Sequence, residues 1–154
     1  HGSKQIHCFE SFEGLKTFSD EDQYDSDKPD GIYKGNYEML VDLIDLYEMN
    51  DDIRIHKGNI QKTLPDLLNI EPEITFSMLY CDTDLYEPTK LILKKMHSHI
   101  MIGGVIVFDE WNDPLWPGET KAANEFIKKY FNHYVVESVG NTRQPTLILK
   151  KISN

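Results

Sequence analysis

Residues 74–86 of this chain read Ile-Thr-Phe-Ser-Met-Leu-Tyr-Cys-Asp-Thr-Asp-Leu-Tyr, and residues 103–111 read Gly-Gly-Val-Ile-Val-Phe-Asp-Glu-Trp. Each stretch is a short apolar run that ends in carboxylates. Such runs are typical of buried parallel strands, whose carboxyl ends meet at one edge of a sheet. Open α/β sheets bind their ligands at that edge, so we expect the chemistry of this protein there.

Three acids should meet at this edge, since Asp82 follows the first run and Asp109 and Glu110 follow the second. Three carboxylates make an oxygen-rich site that suits a hard divalent cation such as Mg²⁺. Neighbouring residues of an extended strand point to opposite faces, so Asp109 and Glu110 can face one ion only where the strand has become a loop. The pattern predicts a functional acidic cluster, with solvated strand ends as the alternative.

The bulk composition limits the class of protein. The 154 residues are enough for one domain with a hydrophobic core, so we expect a single α/β domain over residues 1–154. Residues 1–3 read His-Gly-Ser and are either a tag remnant or native loop. The longest apolar runs fall well short of the roughly 20 residues of a membrane span. A net charge of −10 argues against binding along a nucleic-acid backbone, which needs clustered Lys and Arg.

The partner is therefore expected to be a small molecule, with neither a membrane nor a nucleic acid involved. The two cysteines, Cys8 and Cys81, lie in apolar runs without metal-ligand spacing. This predicts buried free thiols in a reducing compartment, and hence a cytoplasmic protein.

The elements are expected to alternate along the chain. Strands are predicted at 5–11, 53–56, 74–82, 105–109, 134–139 and 146–151, and helices at 37–49, 61–68, 84–100 and 119–131. This order predicts a doubly wound, mostly parallel sheet with an antiparallel hairpin at the C-terminus, turning at Gly140-Asn141.

Three local patterns refine this prediction. Asp84 is predicted as the N-cap of the helix at 84–100, because Glu87 follows three residues on. Gly103-Gly104 is predicted to be a turn into the next strand. The stretch from 16 to 35 is rich in Asp but fails the calcium-loop spacing, so it is predicted to be a solvated loop.

Glu10 closes the first predicted strand. An acid at a strand end of a nucleotide-binding α/β fold accepts hydrogen bonds from both ribose hydroxyls. A solvated turn residue is the alternative.

Four motifs resemble those of the macrocin O-methyltransferase family, Rossmann-like enzymes that use S-adenosylmethionine and Mg²⁺ to methylate sugar hydroxyls of natural products. Residues 10–15, Glu-Ser-Phe-Glu-Gly-Leu, resemble the family's Asp-Ser-Phe-Glu-Gly-Leu. Gly58-Asn59-Ile60 with Thr63-Leu64-Pro65 is similar to Gly-aromatic-Phe followed by Thr-Leu-Pro. Residues 82–89, Asp-Thr-Asp-Leu-Tyr-Glu-Pro-Thr, resemble Asp-Gly-Asp-Leu-Tyr-Glu-Ser-Thr. Gly103-Gly104 with residues 109–111 is similar to Gly-Gly followed by Asp-Asp-Tyr.

The resemblance implies an O-methyltransferase that acts on a hydroxyl of a small molecule, a sugar or a natural product. It implies that Glu10, with Ser11 and Phe12, binds the cofactor ribose, and that Gly58 and Asn59 lie near the adenosine. It also implies that Asp82, Asp109 and Glu110 hold Mg²⁺. Asp82 would in addition be the general base, since a metal lowers the pKa of a coordinated hydroxyl.

The chain also departs from the family pattern. Glu10 and Glu110 stand where the family has Asp, and Asn59 replaces an aromatic residue. The family's first strand and Gly-rich turn precede the ribose-binding acid by a few dozen residues, whereas nine residues precede Glu10. That strand would lie between those ending at Glu10 and Asp82, so we expect a gap in the sheet. Either the chain is a fragment, which we favour, or a second copy supplies the strand in a homo-oligomer, or the sheet closes differently.

Two other functions remain open from the sequence. Asp82 and Asp84 suit the nucleophile and acid of a Mg²⁺-dependent phosphatase or phosphotransferase, although Tyr86 stands where that class has Thr or Val. The second is a non-catalytic binding domain or fragment of the methyltransferase fold, which the absent Gly-rich turn favours.

Overall fold

The computed structural model describes residues 4–23, 31–138, 143–144 and 147–154. The chain forms two compact units, one of residues 1–16 and 26–70 and the other of residues 17–25 and 71–154. The single domain stays a prediction. The predicted tag remnant at 1–3 and the Gly140-Asn141 turn lie outside the described residues.

Strands and helices alternate as the sequence predicts, which confirms the α/β fold. Their order is β1 (Ile6–Glu10), α1 (Tyr37–Leu46), β2 (Ile53–Lys57), α2 (Ile60–Ile70), β3 (Phe76–Cys81), α3 (Tyr86–Met96), β4 (Ile100–Phe108), α4 (Pro117–Lys129), β5 (Tyr134–Ser138) and β6 (Leu147–Lys151). None of the helices in the described part of the chain is long and apolar enough to span a membrane.

The first unit is built on the parallel pair of β1 and β2, in which Ile6 lies opposite Ile53 and Glu10 opposite Lys57. Leu64 and Leu67 are buried on one face of α2, three residues apart, as an amphipathic helix requires. The strand register brings the ends of β1 and β2 to the same edge.

The second unit is built on a four-stranded sheet in the order β3-β4-β6-β5. The β3-β4 pair is parallel, and β6 runs antiparallel to both β4 and β5, which confirms the predicted C-terminal hairpin. Ile106 and Phe108 of β4 and Leu147 and Leu149 of β6 are fully buried. Val107, which lies between Ile106 and Phe108 on the other face of β4, is also buried, so this end of β4 is covered on both faces of the sheet.

Each sheet ends at a strand that the sequence predicts to border a gap. Among the described residues, β1 pairs only with β2, and β3 pairs only with β4. The gap itself stays a prediction.

The predicted end of α3 at Ile100 was wrong. The helix ends at Met96, and Ile100 already belongs to β4. The buried Lys151 ammonium of β6 donates hydrogen bonds to the carbonyls of His97 (3.0 Å) and Ile100 (2.8 Å). Because this donor comes from a distant strand, no local pattern indicates where the helix stops.

The predicted turn at Gly103-Gly104 lies inside β4 as a bulge. Phe76 pairs with Ile100 and Met78 pairs with Val105, so β4 advances five residues while β3 advances two. A Cβ atom on Gly104 would lie 3.0 Å from the Ser77 carbonyl oxygen, so the strands approach too closely for a side chain there.

The stretch at 16–35 was predicted to be a solvated loop; its residues 24–30 lie outside the described residues, and the prediction was wrong for Asp22. Asp20–Asp22 form a 3-10 helix in which Asp22 is buried. Its Oδ2 accepts from the N–H and the hydroxyl of Ser19, both at 2.7 Å, and its Oδ1 accepts from the N–H of Tyr86 at 2.7 Å. Asp22 therefore binds an N–H of the first turn of α3, a role that the sequence assigned wrongly to Asp84.

Candidate functional site

The carboxyl ends of β3 and β4 bring two of the predicted acids together. Cys81 lies opposite Phe108 in the parallel register, so Asp82 and Asp109 are the next residues on adjacent strands. The N–H of Asp109 donates to the Cys81 carbonyl at 3.1 Å, which holds the two strand ends side by side. Glu110 follows directly in the chain.

The environments of Asp82 and Asp109 differ. Asp82 is exposed, whereas Asp109 is buried and accepts a hydrogen bond from the phenol of Tyr80. This hydrogen bond, with partial burial and the charges of Asp109 and Asp82, raises the pKa of Tyr80 to about 12. Tyr80 therefore stays protonated and fixes one oxygen of Asp109. Sequence reasoning missed Tyr80, although Tyr80 lies two residues before Asp82 and so on the same strand face.

Glu110 lies where the strand has become a loop, as the predicted acidic cluster requires. Its carbonyl accepts from the N–H of Asp113 at 3.0 Å, and its carboxylate accepts from the amide of Gln144. Partial burial, with a hydrogen bond to Asp113 and its charge, raises the pKa of Glu110.

Glu119 is a further acid of this edge that sequence reasoning used only as a helix start. It lies in the first turn of α4 and is fully buried. Its Oε1 accepts from the N–H of Glu110 at 2.9 Å. Burial, reinforced by the charges of Asp84 and Asp109, raises its pKa to about 8, although the N–H groups of Glu110 and Thr83 act against this. An acid in a first helical turn is common, so its sequence position alone gave no signal.

The chain turns sharply after β3. Asp84 is buried with φ of 57°, and the N–H of Leu85 reaches back to the Thr83 carbonyl. A non-glycine residue in this left-handed region stores strain, which the surroundings must hold in place. The hydroxyl of Thr83 bonds that of Thr89 at 2.8 Å, which ties the turn to α3.

The donor set fits Mg²⁺ in kind, because it consists of carboxylate oxygens on adjacent strand ends. Within the described residues, no group of three His, Cys, Asp or Glu side chains is placed to hold a metal ion. The carboxylate of Asp109 faces Tyr80 and that of Glu110 faces Gln144. These side chains would have to turn before the three acids share one ion.

The first unit holds the residues that were assigned to the cofactor. Glu10 lies at the end of β1, and its Oε1 accepts from the N–H of Phe12 at 2.7 Å and from the Ser11 hydroxyl at 3.3 Å. Its Oε2 has no hydrogen-bond partner among the described residues. One anchored and one open oxygen suit a ribose-binding acid. Phe12, by contrast, is buried and packs edge-on against Tyr37, at 5.1 Å between ring centroids.

Gly58 lies beside Glu10, and Asn59 has a local structural role. The N–H of Gly58 donates to the Glu10 carbonyl at 2.9 Å. The side chain of Asn59 accepts from the N–H of Gln61 at 2.8 Å, which caps the N-terminus of α2. The structure therefore brings Glu10 and Gly58 together. The cofactor contacts of all five residues, Glu10, Ser11, Phe12, Gly58 and Asn59, stay predictions.

An open groove of about 530 Å³ runs along α4 in the second unit. It is lined by Asp20, Glu21, Gln23, Pro117, Thr120, Lys121, Asn124, Glu125 and Lys128. None of the predicted site residues contributes to this groove.

Comparison with known proteins identifies the family. The family model for macrocin O-methyltransferase (TylF) matches residues 1–140. The chain belongs to this family. This confirms the resemblance that the four motifs indicate. No curated protein sequence matches the chain.

Solved methyltransferases share the fold. CalS11, a calicheamicin methyltransferase, is 25% identical with a TM-score of 0.82, over 95% of this chain and 60% of that one. The O-methyltransferase NovP is 19% identical with a TM-score of 0.72, over 96% and 60%. An O-methyltransferase from Bacillus cereus in complex with SAH is 15% identical with a TM-score of 0.53, over 74% and 57%. The chain thus spans about three-fifths of the length of these structures.

Proposed function

We propose that this protein is an S-adenosylmethionine-dependent O-methyltransferase that methylates a hydroxyl group of a small molecule, a sugar or a natural product. The family match over residues 1–140 carries this proposal. CalS11, which this chain resembles at 25% identity, is described as a TDP-rhamnose 3'-O-methyltransferase, and this supports a sugar hydroxyl as the acceptor.

The cofactor assignment rests on the end of β1. The open oxygen of Glu10 would accept hydrogen bonds from the ribose hydroxyls, with Ser11 and Phe12 beside it in the chain. The backbone of Gly58, bonded to Glu10, and the neighbouring Asn59 would lie near the adenosine. The SAH complex of the Bacillus cereus neighbour supports a cofactor of this kind.

The acidic edge of the second unit would supply the chemistry. Asp82, Asp109 and Glu110 would hold Mg²⁺, which lowers the pKa of a coordinated hydroxyl when bound. Asp82, as the exposed member, would remove the acceptor proton, while Tyr80 holds the buried Asp109 in place. The remaining requirement is alignment of the acceptor oxygen with the sulfonium methyl group.

No observation favours the phosphatase alternative. Its second acid, Asp84, is buried, and the family match is to methyltransferases. The non-catalytic alternative is tested by cofactor binding and methyl transfer together.

Calorimetric titration of S-adenosylhomocysteine, with and without Mg²⁺, tests the cofactor assignment. We expect micromolar binding by the wild-type protein and at least a tenfold loss for Glu10→Ala. Glu13→Ala is the matched control, because this acid is exposed and pairs with Lys16 at 3.0 Å. A folded wild-type protein that does not bind would contradict the proposal.

Transfer of a labelled methyl group from S-adenosylmethionine to a panel of nucleotide sugars and phenols tests the reaction. We expect Asp82→Asn to abolish transfer while it leaves S-adenosylhomocysteine binding unchanged. Binding without transfer to any acceptor would favour a non-catalytic protein.

The remaining proposals concern setting and partners. Cys8 and Cys81 are free thiols, which supports a reducing, cytoplasmic compartment. The acceptor is the only partner proposed, and neither a membrane nor a nucleic acid is part of the proposal. A homo-oligomer stays a prediction that light scattering would check.

A further inference from the structure

Glu119 connects the two loops that carry the acids of the candidate site. Its Oε1 accepts from the N–H of Glu110, directly after β4, at 2.9 Å. Its own N–H donates to the carbonyl of Asp84, in the turn after β3, at 3.2 Å. One residue of α4 therefore bonds the backbone beyond both strand ends.

The chemistry of this contact is unusual for a packing residue. Glu119 is fully buried, and its Oε2 has no hydrogen-bond partner of acceptable geometry among the described residues. A buried polar atom without a well-aligned partner costs about 1–3 kcal/mol, so packing alone does not account for a carboxyl group at this position. What the carboxyl group of Glu119 provides in the structure is a hydrogen-bond acceptor for the N–H of Glu110.

The electrostatic surroundings agree with this role. Burial and the charges of Asp84 and Asp109 raise the pKa of Glu119 to about 8. In such buried surroundings the hydrogen bond from the Glu110 N–H is electrostatically stronger than it would be in water. Since Glu119 is fully buried, it does not reach a substrate and can act only through its neighbours.

We propose that Glu119 is a positioning residue, which bonds the backbone of Glu110 and Asp84 and so holds the ends of β3 and β4 in place while the side chains of the acids turn towards one metal ion. This inference rests on the proposed function. Partners that orient metal ligands typically account for ten- to hundredfold in affinity, so the effect should be measurable without turnover.

Three variants separate this role from packing. Glu119→Met keeps the approximate length but has no strong acceptor, whereas Glu119→Gln keeps an acceptor oxygen. Glu125→Met is the matched control, because it makes the same change on α4 at an exposed carboxylate that binds the Tyr86 hydroxyl. Thermal unfolding of each variant determines whether it is folded.

Two measurements apply to each folded variant, namely Mn²⁺ binding by electron paramagnetic resonance and amide exchange of Glu110 by NMR. We expect Glu119→Met to weaken Mn²⁺ binding at least tenfold and to accelerate Glu110 exchange. Glu119→Gln should stay within about threefold of the wild type in Mn²⁺ affinity and in Glu110 exchange, because it keeps an acceptor oxygen for the Glu110 N–H. Glu125→Met should match the wild type.

Wild-type affinity and wild-type exchange by folded Glu119→Met would overturn the inference. If the wild-type protein binds no Mn²⁺, the proposed metal site fails, and with it the metal-positioning role. Amide exchange then decides separately whether Glu119 still holds the loop. If Glu119→Met does not fold, the wild-type protein decides, because rapid exchange of its Glu110 amide would contradict the hydrogen bond.

Discussion

The two ends of the four-stranded sheet gather opposite kinds of ionisable groups. The carboxyl ends of β3 and β4 carry acids, and burial raises the pKa values of Glu110 and Glu119 there. The opposite end carries His97 and Lys151, and burial lowers both pKa values. At both ends, burial favours the neutral form of the group.

The ends differ in what their polar groups bind. The Lys151 ammonium bonds the carbonyls of His97 and Ile100, which closes α3 and starts β4. At the acidic end, Asp82 remains exposed, and the bonds of Glu119 hold loop backbone beside the acids. A buried charged group whose hydrogen bonds are satisfied by backbone carbonyls stabilises the fold, whereas several like charges at the ends of adjacent strands indicate a functional site.

The largest expected effect is at the acidic end, in Gly118→Ala. A Cβ atom there would lie 1.8 Å from Oδ1 of Asp22 and 2.7 Å from the backbone nitrogen of Tyr86. Alanine in a helix is normally favourable by about 1 kcal/mol, but this overlap should dominate and cost about 3 kcal/mol of stability. Urea unfolding measures the change, and a gain in stability would contradict the predicted overlap.

The double variant Asp22→Ala with Gly118→Ala sharpens this result. Because the first change removes the carboxylate that the new methyl group meets, the double variant should lose less stability than the sum of the single variants. Strict additivity would show that the two residues do not share this contact.

The next largest effect is at the basic end, in Lys151→Met. The variant keeps an apolar side chain but leaves two carbonyls without their donor, and we expect a loss of about 2 kcal/mol in urea unfolding. Lys150→Met is the control, because Lys150 is the exposed neighbour on β6. Weaker Mn²⁺ binding by Lys151→Met would contradict the purely structural role of the basic end, since this end would then contribute to metal binding as well.

The smallest effect, when it is counted for a single pH unit, is a pH dependence that comes from Glu119. Its pKa is 4.5 ordinarily and about 8 in the folded protein, so the folded state keeps a proton that the unfolded chain releases. The stabilising contribution is full below pH 4.5 and is lost as the pH rises through 8. Between these values, wild-type stability should fall relative to Glu119→Gln by about 1.4 kcal/mol per pH unit. Urea unfolding in chelator at several pH values measures this, and a flat difference would contradict the neutral acid.

Local sequence patterns correctly predicted those elements whose structure depends on residues close together in the chain. The apolar runs before Asp82 and Asp109 predicted both strands, and the parallel register brings the two acids side by side. Asn59 shows the limit, because the motif that suggested a cofactor contact also suits the helix cap that the structure shows. A side chain that serves two roles by the same chemistry cannot be assigned from its position alone.

The sequence by itself determined the alternation of strands and helices, the acidic strand ends and the family, because periodicity and motifs lie within short stretches. Only the tertiary structure decided the end of α3, the partner of its first turn and the hydrogen bonds of Glu119. Each of these depends on a hydrogen bond between distant segments, such as Asp22 to Tyr86, 64 residues apart. Burial and distant partners set the pKa of a group and its hydrogen bonds, and neither follows from the residues beside it in the chain.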